Sequence, residues 1–264
     1  MADNLSDDAS QKPMNIQSEN LPTQHKPKKW NQYFLEFVMI FLAVTLGFFA
    51  ESFRQHIINK GKERQYISGF IRNVRDDTLN LRHVIEFDEW QVKGIDSMLM
   101  LSHVNLDIDS HRKSFYHLAF RYFYNSASFK SNDATLQQLK STGEYRLIER
   151  SHVSDSLSKY DADIRNIYGQ GEYYDVYFKD IVFRLDELID MTALGDTSLV
   201  KNGKMMNKPF PRLRDGDEKL PTFFNKIFDF RLITNAYAED YLKPQLERSK
   251  RIIAFLKKEY DIQD

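Results

Sequence analysis

WNQYFLEFVMIFLAVTLGFFAESF, residues 30–53, decides how the chain is read. Between Tyr33 and Phe53 its 21 residues carry one charge, Glu36, before the closing Glu51. Wound as a helix at 1.5 Å per residue, such a run spans roughly 30 Å, the thickness of a bilayer's hydrocarbon core. Trp30 and Tyr33 mark one end, where amphipathic rings favour the headgroup zone, and Lys26, Lys28 and Lys29 lie just outside it. From Phe37 to Ala50 the only polar side chain is Thr45, which speaks against a helix buried in a soluble domain. The expectation is a single transmembrane helix over residues 30–54. Within it Ala43, Gly47 and Ala50, four and three residues apart, form a strip of small side chains on which a second helix could pack closely. Glu36 falls where it reaches the headgroups.

Residues 1–29 are rich in Asp, Ser, Asn, Gln and Pro and hold too little apolar surface to offset the entropy of ordering, so a disordered polar tail is expected. A polar leader of that length and a hydrophobic run longer than a signal peptide's favour an uncleaved signal-anchor, although Ala50-Glu51-Ser52 does place small residues around a cleavage point. Basic residues stand on both sides of the span, Lys26, Lys28 and Lys29 before it and Arg54, Lys60, Lys62 and Arg64 after it, so the positive-inside count is balanced. A short tail before a single span usually stays in the cytoplasm, which would put the larger domain outside it.

Residues 55–264 read as one soluble helical domain. Ile67, Ile71, Val74, Thr78, Leu81, Ile85, Asp88, Val92, Ile95 and Leu99 repeat in steps of four and three, the seam of a bundle or coiled coil, on a helix expected from about 65 to 101. Phe70, Val84 and Met98 broaden the stripe and favour an antiparallel bundle. Thr78 and Asp88 interrupt the seam and read as partly solvated. Asn105, Asp107 and Asp109 resemble the start of a calcium loop, but Ser110 and Tyr116 stand where such a loop needs glycine and glutamate, so they are assigned to a turn capping a helix at 111–126. A short helix follows Ser131–Asp133 and stops at Gly143, and another opens at Ser151 or Ser154 and runs to about Tyr168. Gly169 and Gly171 are read as a break before a helix over 172–192. The glycines and prolines of 193–221 exclude a long helix, and Asn202-Gly203 predicts a small β-hairpin within 196–216. Helical spacing returns at Thr222, with Pro244 expected to kink or break the run near Asp240.

LEFVMIFLAVTLGFFAESF together with TLQQLKSTGEYRLI and VSDSLSKYD resembles a family of uncharacterised single-span membrane proteins of Gram-negative bacteria, in which a hydrophobic helix precedes a helical domain with a Leu-Lys-Ser-x-Gly…Leu-Ile block. The resemblance implies the architecture and supplies no activity or catalytic residue. Glu51-Ser-Phe-Arg departs from the amide-rich, tryptophan-containing end of the span in that family.

The composition narrows the chemistry. A net charge of -1 gives no global field for nucleic acid. With no cysteine there is no disulfide, thiolate metal site or cysteine nucleophile. No two of the seven histidines stand four apart, and His83 with Glu86 is one possible metal pair, short of what a di-metal bundle needs. No phosphate loop or nucleophile elbow is present. Asp76-Asp77 and Asp161 with Asp163 look like solvated surface, and the aromatics of 115–129 and 168–183 like core. No catalytic, cofactor or metal residues are assigned. The expected function is a noncatalytic membrane-anchored envelope protein in the bacterial inner membrane, its C-terminal domain periplasmic, binding or positioning partner proteins or self-associating. The alternative is a tethered ligand-sensing bundle signalling through another protein, and convergence of His83, Asp88 and His117 on a deep pocket would instead point to an enzyme.

Overall fold

The computed structural model describes residues 29–202 and 204–263, so the expected tail falls, apart from Lys29, outside the described residues. The chain is all-α with one small two-stranded sheet. It divides into two compact units, one ending at Gln55 and one running from His56.

Helix α1 spans Trp30–Met100, far longer than the helix expected from residue 65, because no proline occurs between residues 28 and 208 and the spacing favours helix throughout. Its first part is long and apolar enough to cross a membrane. There Phe34, Ile40, Leu46 and Phe49 are exposed, Phe37 stacks on Phe41, and the Thr45 hydroxyl returns to the Phe41 carbonyl at 2.7 Å, leaving no polar hydrogen on that face unspent.

The second unit is an antiparallel bundle of four rods. The later part of α1 is the first rod. The second, broken rod comprises α2 (Asp109–Tyr122), an extended stretch, α3 (Ala134–Ser141) and a 3-10 turn (Glu144–Leu147). It descends along α1, as successive bonds show: Gln91 to the Tyr122 carbonyl at 3.0 Å, Asn80 to that of Lys130 at 2.7 Å, and Lys62 to Glu144 at 2.7 Å. Helix α4 (Ser151–Leu188) is the third rod and runs parallel to α1. The fourth is α5 (Gly216–Ala236), a π-helical turn (Tyr237–Leu242) and α6 (Lys243–Tyr260), antiparallel to both, with Arg231 on Asp96, Lys243 on Glu89 at 2.8 Å and Tyr260 on Glu63.

Several local expectations are corrected. Helix α4 passes through Gly169 and Gly171 unbroken; a Cβ on Gly171 would lie 3.1 Å from the Tyr237 hydroxyl, so this glycine allows a close approach. Helix α2 starts two residues early and ends at Tyr122, and its N-cap is Ile108, without a side-chain cap. Helix α3 takes its cap from another rod, the Asn73 amide oxygen accepting from the Thr135 N–H at 3.1 Å. Helix α5 begins at Gly216, six residues before Thr222, and carries Pro221 in an early turn. Near Pro244 the rod neither breaks nor ends: the π turn adds the residue that relieves the clash between the proline ring and the preceding carbonyl. Gly143 does end α3 in the left-handed region, at φ 68°. The hairpin pairs β1 (Val200–Lys201) with β2 (Lys204–Met205), Val200 opposite Met205, and Asn202 has φ 51° as a tight turn requires; Gly203 lies outside the described residues.

Candidate functional site: polar layers in the core and a cationic cleft

The seam of α1 does not present a purely apolar stripe. Ile67, Val74, Leu81, Ile95 and Met98 are buried as the spacing predicts, but past residue 88 Gln91 and Gly94 enter the core where Val92 and Leu99 were expected. Thr78 and Asp88, read as partly solvated, are buried, and so is Asp77, read as surface. The reason is that α1 is covered on more than one side, so positions flanking a two-helix seam are enclosed as well.

Three of these polar groups stand 14 residues apart, at Glu63, Asp77 and Gln91, and each accepts a tyrosine hydroxyl. Tyr260 serves Glu63; Tyr160 serves Asp77 at 2.7 Å; Tyr174 serves Gln91 at 2.6 Å. Asp77 also accepts from the Ser131 hydroxyl and, at 2.6 Å, from the Asn132 N–H. Burial raises its carboxyl above the usual range, and these hydrogen bonds oppose that shift. Burial and the neighbouring Asp77 charge together push the Tyr160 hydroxyl upward, so it stays a donor.

Asp88 is different. It is 0% exposed and neither carboxyl oxygen has a hydrogen-bond partner. Burial alone pushes its carboxyl up to about 8, so at neutral pH it is mostly protonated. Asp88 acts electrostatically on Tyr174 of α4 and Tyr237 of the π turn, two hydroxyls on which Asp175 acts as well. Gln245 on α6 is also buried, its amide facing the Tyr160 hydroxyl without a hydrogen bond of ordinary geometry.

Two surface features add to this interior. Between α4 and α6 lies a cleft of about 310 Å³ lined by Ser156, Lys159, Tyr160 and Asp163 on one side and Arg248, Arg251, Ile252 and Phe255 on the other. Both sets follow the i, i+3, i+4, i+7 spacing of one helix face. Arg248 pairs with Asp163 at 3.2 Å, whereas among the described residues Lys159 and Arg251 hold no ion pair. On α4 and α5, Tyr173, Val176, Phe183, Phe228 and Leu232 point away from the core, Val176 and Phe183 63% and 64% exposed.

His83 and Glu86 lie on the exposed side of α1, and His117 lines a shallow depression between α2 and the hairpin, so His83, Asp88 and His117 do not converge. Among the described residues no three histidine, aspartate or glutamate side chains gather to hold a metal ion. Ala43, Gly47 and Ala50 lie in the apolar part of α1, where a Cβ on Gly47 would meet nothing within 4 Å. Phe115, Tyr116, Phe123 and Tyr174 fill the core. Sequence reasoning missed Arg112, buried on α2. Its guanidinium donates to the Phe210 carbonyl at 2.9 Å and to Asp109 at 2.8 Å, tying the segment after the hairpin to the bundle. No signal distinguishes it from the other 36 lysines and arginines. Comparison with known proteins returned no match to a protein-family model, a curated protein or a solved structure.

Proposed function

We propose that the chain is a noncatalytic, membrane-anchored envelope protein whose bundle docks a partner protein through the outward face of α4 and α5. The anchor is the first part of α1; a bacterial inner membrane with the bundle on the periplasmic side is part of this proposal, and the resemblance described above supports a Gram-negative envelope. The observation that carries the reading is the apolar set Tyr173, Val176, Phe183, Phe228 and Leu232, left outside a bundle whose own core is filled. Large exposed apolar groups clustered on packed helices mark interaction surfaces more often than chance. Glu172, Asp175, Asp180, Asp186, Glu187 and Asp229 outnumber Lys179, Arg184, Lys226 and Arg231 in these stretches, so the fitting partner presents an apolar helix face flanked by lysine and arginine.

A photo-crosslinking side chain at Val176 or Phe183, in the full-length protein in native membranes, should yield one discrete heterologous adduct, absent when the probe stands at Lys250 or when the other position carries glutamate. Adducts of twice the monomer mass would replace the partner with a second copy of this chain. Monomer alone at both positions would refute docking at this face.

A further inference from the structure

The α4–α6 cleft is independent of the docking face and has a composition that a plain helix–helix groove lacks. Its floor is apolar and fixed: Tyr160 is locked by its bond to Asp77 at 2.7 Å and approached by the Ser249 hydroxyl at 3.4 Å, and Ile252 is buried beside it. The Phe255 ring forms one wall, itself held edge-on by His152. Above this floor the lining side chains are three cations and one carboxylate, a net of two positive charges; Glu247, one turn before Arg251, acts on that guanidinium electrostatically while pairing with Lys250 at 2.5 Å. Arg248 spends part of its guanidinium on Asp163, while Lys159 and Arg251 face the opening without an ion pair among the described residues. A phosphate monoester carries close to two negative charges near neutral pH and presents oxygens that match guanidinium and ammonium donors. The volume of about 310 Å³ is at the lower end of small-molecule pockets and leaves room for an apolar body against Phe255 and Ile252.

We propose that this cleft binds a phosphate monoester attached to an apolar body, the phosphate between Lys159 and Arg251 and the body on Phe255. Such a group is carried both by a soluble metabolite and by a phosphatidic-acid headgroup. The test uses the full-length protein in nanodiscs of phosphatidylcholine, titrated calorimetrically with 1-naphthyl phosphate. Binding should be saturable, at least about tenfold tighter than that of inorganic phosphate, and weakened at least about tenfold in Lys159→Ala/Arg251→Ala, with the thermal midpoint unchanged. Phe255→Ala should weaken 1-naphthyl phosphate and leave inorganic phosphate unaffected, and Lys250→Ala, outside the cleft, should change neither. Repeating the titration with phosphatidic acid in the disc separates the sources: a weaker apparent affinity supports the headgroup form of the proposal, an unchanged one the soluble form. Absence of saturable binding in both discs, or equal affinity in the double variant, overturns the proposal.

Discussion

Replacing Asp88 with asparagine isolates the most unusual group in the bundle. Its folded-state value of about 8 against about 3.9 in the unfolded chain means that unfolding at neutral pH releases a proton. The sign follows: the stability held by the neutral carboxyl is fully present below pH ~3.9 and is lost as pH rises towards 8, by about 1.4 kcal/mol per unit. Between pH 5 and 7.5 that amounts to about 3 kcal/mol, a large share of the 5–15 kcal/mol typical of a folded domain. Asparagine keeps the shape, carries no charge at any pH and leaves Tyr174, Asp175 and Tyr237 in place. Asp77, whose carboxyl is also raised, contributes a slope of the same sign to both proteins. Urea unfolding of the full-length protein in detergent micelles, followed by circular dichroism from pH 5 to 8.5, should therefore give a steeper decline for wild type than for Asp88→Asn. The variant should be the more stable protein at pH 7.5. Parallel curves would refute the reasoning, because they would mean that Asp88 has the same proton affinity folded and unfolded.

Asp77→Ala leaves the Ser131 and Tyr160 hydroxyls and the Asn132 N–H without their acceptor and should destabilise the bundle by about 2–4 kcal/mol in the same assay. Gly94→Ala places a methyl 2.1 Å from the Tyr122 ring, which packs tilted against Trp90, and should lower stability by about 1–3 kcal/mol and alter Trp90 fluorescence, despite the higher helix propensity of alanine. If the small-residue strip pairs two copies of the span, Gly47→Ile should weaken that pairing by about 1 kcal/mol in a membrane dimerisation assay, and an unchanged signal would dismiss the strip.

The elements that were legible in the sequence are those written in local patterns. The apolar run 30–53, the four-and-three repeat as far as residue 88, the left-handed Gly143 and the turn at Asn202 each follow from spacing or from backbone freedom, and each is where the spacing put it. What was not legible depends on enclosure by other rods. Asp77 looks like a surface acid and Asp88 like a partly solvated seam position until the second, third and fourth rods cover α1, and Gly171 looks like a stop until Tyr237 is seen against it. Pro244 announced a distortion but not its form, since the choice between a break and a π turn is made by the contacts of α6 with its neighbours. The cleft was invisible for the same reason: Lys159 and Arg251 are 92 positions apart and meet only through antiparallel packing.

The 14-residue spacing on α1 is matched on α4, where Tyr160 and Tyr174 are also 14 apart and both bonds join positions separated by 83. Apolar heptads tolerate sliding by one repeat, because one leucine replaces another. These two rods cannot slide cheaply: a seven-residue shift strands both hydroxyls and the Gln91 amide oxygen at once and takes one of three donors from Asp77, each stranded group costing about 1–3 kcal/mol. The tyrosines therefore act as a vernier that admits one alignment of α1 against α4 and penalises its near neighbours.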